Sequence, residues 1–144
     1  MEIFWKTIGL YNAATWEWQL GIILIGIILT VLLTRNPQPW VKNGMKIYLI
    51  AVYLWISVIY YYIYCAERSY NEVMALFWAI MAILWGWDAL SGYTTFERTR
   101  KYDWLAYFLF AMPFIYPLIS MARGLTFPEM TSPVMPCSKV VYPD

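Results

Sequence analysis

The residues of this chain that could do chemistry are few and widely spaced. It has 144 residues, no histidine and two cysteines, Cys65 and Cys137. Without histidine the usual general base and the commonest metal ligand are missing, and two cysteines cannot build a zinc site alone. No metal and no cofactor is therefore expected. Asp88 is the acidic group that stands out, because it lies inside the apolar run VMALFWAIMAILWGWDALS. An ionisable group in such a run is costly to desolvate and is a functional candidate for that reason. It could bind a proton or cation, or it could pair with Arg35, Arg98 or Arg100. Trp85, Tyr61 and Phe114 are the aromatics that could wall a site for an apolar or cationic ligand around it. The competing reading of Tyr60, Tyr61 and Tyr62 is an interfacial belt, since three consecutive tyrosines cover most of a helix circumference. General acid–base chemistry would rest on Glu67, Glu72 or Asp88, and nothing in the spacing brings two of them together, so the reading leans away from an enzyme. Glu17, between Trp16 and Trp18, is read as a carboxylate in the first turn of a helix, at the positive end of its dipole.

The elements that would position these groups are apolar helices. A membrane-crossing helix needs about 20 mostly apolar residues. Four stretches qualify, at residues 16–34, 47–65, 73–91 and 104–122. Short polar links with Pro37, Pro39 and Gly44, or with AERSYNE and GYTTFERTRKYD, separate them. Residues 1–15 place Phe4, Ile8 and Tyr11 on one helical face, which predicts an N-terminal interfacial helix. Residues 123–144 hold several prolines and no spanning run, and read as an irregular extracytoplasmic tail. The expected fold is all-α: a polytopic membrane helix bundle of four transmembrane helices with an N-terminal interfacial helix.

Within that bundle, Ala75, Ala79, Ala82, Gly86 and Ala89 recur at spacings of four and three and form a stripe on which another helix can approach closely. Asp88 points roughly 140° away from the stripe. Pro113 and Pro117 remove amide donors from the fourth span and predict a kink. Cys65 at the end of the second span and Cys137 in the tail are expected on the same side of the membrane, and an oxidising compartment there would allow a disulfide between them.

Composition sets the frame. Hydrophobic residues make up 62% of the chain and charged ones 13%, far from the about 45–50% and 25% of soluble domains. A formal net charge of +1 gives no field for nucleic acid, so nucleic acid is not an expected partner. The lipid bilayer is, together with a homo-oligomeric copy or a membrane protein. Arg35, Lys42, Lys46, Arg98, Arg100 and Lys101 fall on one side of the bundle, and Lys6, Arg68, Arg123 and Lys139 on the other. The side richer in positive charge is expected to be cytoplasmic, which leaves both termini outside.

The strings YNAATW, YCAERSY followed by ALFW, GYTTFERT and the late TSPVMPC, taken together over most of residues 1–137, resemble an uncharacterised family of bacterial multi-pass integral membrane proteins, a domain of unknown function. The resemblance implies a bacterial inner-membrane location and no assigned chemistry. It also implies further spans after the MPC segment, so that this chain would be a shortened form. The functional expectation is a membrane protein that binds or transports a small molecule or ion within the bundle. A non-catalytic accessory or assembly subunit and a membrane-embedded enzyme are the alternatives.

Overall fold

The structure is a computed structural model that describes residues 2–66 and 69–96, together with residues 104, 108, 115, 117–124, 126 and 127. Three long helical rods make up most of it, and no strand occurs among the described residues. Helix α1 runs unbroken over Glu2–Arg35. The N-terminal segment and the first predicted span are thus one helix, with no boundary near residue 15. Between them lie Ala13 and Ala14, strong helix formers, and no proline interrupts the run. Ile8 and Tyr11 of the face predicted for a membrane surface are instead fully buried in the chain's own core, while the side chain of Phe4 lies outside the described ones.

The chain leaves α1 through Asn36, Pro37 and Gln38. Gln38 is extended (φ −66°, ψ 152°), the conformation favoured before a proline, and Pro39 opens α2 (Pro39–Trp55), where its missing amide costs nothing. Helix α2 then widens without a break into a π-helical segment over Ile56–Tyr64. Its end is marked by the Cys65 amide donating to the Tyr60 carbonyl, five residues back, at 3.0 Å. A tight turn leads into α3 (Asn71–Ser91) through Tyr70, which holds a left-handed backbone (φ 67°). Gly92 ends α3, also at φ 67°, and its amide caps the Asp88 carbonyl at 2.8 Å.

These helices run antiparallel in sequence order. Lys46 meets Asp88, Tyr53 stacks on Trp78 (centroids 5.5 Å apart), and the Ser57 hydroxyl donates to the Ala75 carbonyl at 2.6 Å. On the other side, Tyr48 donates to the Ile22 carbonyl at 3.0 Å, and Trp55 Nε1 donates to the Tyr11 hydroxyl at 2.7 Å. The buried core gathers where the π-helical segment meets α1 and α3: Ile8, Tyr11, Ile56, Tyr60, Tyr61, Cys65 and Ala75. Three helices are long and apolar enough to cross a membrane: Lys6–Arg35, Pro39–Tyr64 and Asn71–Ser91. In the fourth predicted span, Trp104, Phe108, Ile115 and residues 117–122 are helical; the rest, with Pro113, lies outside the described residues.

Candidate functional site

Two polar constellations lie between the helices. The first is a clasp at one end of the α2–α3 pair. Lys46 sits in the second turn of α2 and Asp88 in the last turn of α3, and antiparallel packing brings them level. Lys46 Nζ lies 2.7 Å from Asp88 Oδ2 and also donates to the Asp88 carbonyl at 3.2 Å. The other carboxylate oxygen, Oδ1, accepts the Thr94 amide at 2.7 Å. Asp88 therefore closes the end of α3, holds the following chain and fixes the helix to α2. Its partner is a lysine, where the sequence pointed to arginines. Lys46 threads its alkyl stem between the helices and is almost fully buried. Arg98 and Arg100 lie outside the described residues.

The second constellation runs along the inner face of α1. Tyr11, Asn12, Thr15 and Gln19 are all buried. Their spacing keeps them on one stripe of the helix. Gln19 Nε2 donates to Asn12 Oδ1 at 3.1 Å and to Thr15 Oγ1 at 2.9 Å, and the Thr15 hydroxyl donates to the Tyr11 carbonyl at 2.6 Å. Tyr11 continues the network to Trp55 and packs edge-on against Tyr60 and Tyr64, at 5.1 and 5.5 Å between centroids. The π-helical segment supports this end: its wider turn buries Ser57, Tyr60 and Tyr61 together, and such segments are frequent at functional sites. Sequence reasoning missed the stripe, although the string YNAATW contains three of its members and the spacing 8, 11, 12, 15, 19 was there to be read.

The structure separates the other candidates. Trp85 is near Asp88 along α3 and stacks on Phe96, with centroids 6.0 Å apart. Tyr61 belongs to the opposite end, edge-on to Tyr60 at 4.9 Å; by helical rise it stands roughly 24 Å from the level of Asp88. Phe114 and Cys137 lie outside the described residues, whereas Cys65 is buried. Of the small-residue stripe, Ala75 and Ala82 are buried in the helix interface, Ala79 and Ala89 are half-buried, and Gly86 faces open space. Glu17 is not in a first turn, because α1 begins fifteen residues earlier; it stands exposed in mid-helix. Among the described residues no group of three or more Cys, Asp or Glu side chains could hold a metal ion.

Fold and sites together define an all-helical protein with membrane-compatible helices, an interhelical ion pair and a buried polar stripe. A family model described as a family of unknown function (DUF6064) matches residues 1–143, and the chain belongs to that family. Comparison with curated proteins and with solved structures finds no match.

Proposed function

We propose that the chain is an integral, multi-pass membrane protein and that it serves as a non-catalytic accessory or assembly subunit. The membrane reading is supported by where the apolar surface lies. Leu24, Ile25, Ile28 and Val31 on α1 and Leu76, Ile80, Ile83 and Leu90 on α3 are exposed. Contiguous surface of that kind is at home in lipid and aggregates in water. Residues 104–122 supply the fourth span in this reading, and the lysine and arginine distribution supports an orientation in a bacterial inner membrane with both termini outside.

The observation that favours an accessory role is the state of Asp88. A carboxylate that carries ions through a membrane has to exchange partners, whereas Asp88 is neutralised inside the chain by Lys46 and held by Thr94. A second reading rests on the α1 stripe: a small polar ligand could compete for Asn12, Thr15 and Gln19 beside the Tyr11–Trp55 pair. Substituted-cysteine labelling of intact cells tests the frame. Residues 124–144 should react and Asn43 should not; labelling at Asn43 alone overturns the orientation. Loss of a membrane complex on deletion of the gene, with Asp88→Asn still supporting that complex, is the result expected of an accessory subunit. Loss of an ion or solute flux in Asp88→Asn with the protein intact would overturn it.

A further inference from the structure

Glu17 is an exposed charge in the middle of α1 that no described residue answers. The helix pairings fix its level. On α1, Tyr11 is opposite Trp55 and Tyr60, and Ile22 is opposite Tyr48, so Glu17 is level with the middle of α2. There Tyr53 stacks on Trp78 of α3. Along α3 that level is roughly 12–14 Å from Asn71 at one end and from Asp88 at the other. A glutamate side chain is too short to cover such a distance. Its surroundings on α1 are bare: Ala13, Ala14 and Trp18 are exposed, and a side chain at Gly21 would meet nothing within 4 Å. Among the described residues the chain's own cover stops one residue short, at Trp16, which Phe127 meets edge-on with centroids 5.1 Å apart. Among the described residues no hydrogen bond or ion pair reaches Glu17.

We infer that the α1 face around Glu17 docks a transmembrane helix of a different protein, one that carries a lysine or arginine at mid-depth. This rests on the membrane reading above. A carboxylate held in the apolar layer is stabilised by an opposite charge brought in with its helix, and the small residues beside it let a second backbone come close. Among the described residues, a second copy of this chain brings no cation that fits the need. Lys46 is committed to Asp88 and Arg123 has contacts of its own, while Lys6, Arg35 and Lys42 lie toward the helix ends. Two parallel copies meeting on this face would set one Glu17 against another.

The full chain, reconstituted in phosphatidylcholine vesicles, can be presented with two synthetic apolar helices of transmembrane length. They differ only in a central lysine or glutamine, and each carries a dansyl acceptor for the chain's tryptophans. The lysine helix should associate roughly tenfold more tightly, the scale of one interhelical polar contact. Glu17→Gln should erase the preference, and Glu17→Lys should transfer it to a helix with a central glutamate. Gly21→Leu should weaken both peptides alike. Equal association of the two peptides with the native chain, or a preference that survives Glu17→Gln, overturns the inference. So does Glu17-dependent energy transfer between labelled copies of the chain without peptide, which would assign the face to self-association. Retention in alkaline-washed membranes is measured first: release there removes the membrane reading itself, whereas retention without lysine preference removes the docking face alone.

Discussion

Lys46 of α2 and Asp88 of α3 are bound to each other twice, through the carboxylate at 2.7 Å and through the backbone carbonyl at 3.2 Å. The clasp ties the start of one helix to the end of the next. Removing one partner strands the other charge in a mostly apolar setting. Lys46→Met and Asp88→Asn should each lower the thermal unfolding midpoint in detergent. The double replacement Lys46→Met with Asp88→Leu should recover part of the loss, because no orphan charge is left. Equal midpoints for native and single variants would show the pair to be ornamental to stability.

Gly26 and Tyr48 are fitted to each other in the same way by shape. A side chain at Gly26 would stand 2.9 Å from Tyr48 Cζ and closer still to the hydroxyl. Gly26→Ala should destabilise the α1–α2 contact by about 1–3 kcal/mol, the scale of overpacking. Combining it with Tyr48→Leu should cost less than the two separate effects added together, as expected of residues in contact. Chemical denaturation of the four proteins measures the coupling.

Replacement of Ala82 and of Gly86 should part company. Ala82 is 3% exposed, against α2, and Gly86 faces open space. Ala82→Leu is expected to cost about 1–3 kcal/mol through overpacking, and Gly86→Leu to leave the midpoint near the native value. Similar losses for both would mean that Gly86 also lies in a contact.

The two left-handed residues that bound α3 should respond in opposite directions. Tyr70 carries a side chain where glycine is at ease, and Gly92 already is one. Tyr70→Gly should stabilise the turn, with relief of strain of about 1 kcal/mol or more set against a flexible residue's entropy. Gly92→Ala should destabilise by roughly 1 kcal/mol. Thermal midpoints of the two variants decide the matter.

Much of this architecture was legible because hydrophobic runs of the right length have few other uses. The third span ends at its predicted limit because Gly92 is an unambiguous stop; the second ends within a residue of its limit but starts eight residues earlier than expected, because Pro39 suits the first turn of a helix and Gly44 does not interrupt it. The continuity of α1 was harder to see. Glu2, Lys6, Asn12 and Gln19 depress the hydropathy of its first half, and a window average cannot tell that Asn12 and Gln19 turn inward and bond to each other. Asp88 was visible as a lone charge in an apolar run. Its partner was not, because the register of α2 against α3 depends on packing at Tyr53, Ser57, Ala75 and Trp78, contacts distant in sequence. The π-helical widening at Ile56–Tyr64 had no signature beyond its aromatic density.

The 34 residues of α1 make a rod of about 51 Å at ordinary helical rise, against roughly 30 Å of hydrocarbon. Leaning it by about 40°, the steep end of what membrane helices adopt, would bring its vertical reach only to about 39 Å. In a bilayer this helix thus emerges as a rigid post on at least one side. The second rod (Pro39–Tyr64) and α3 fit that layer within the range of lean that membrane helices adopt, so α1 is the one of the three that must carry part of its length into water or headgroups.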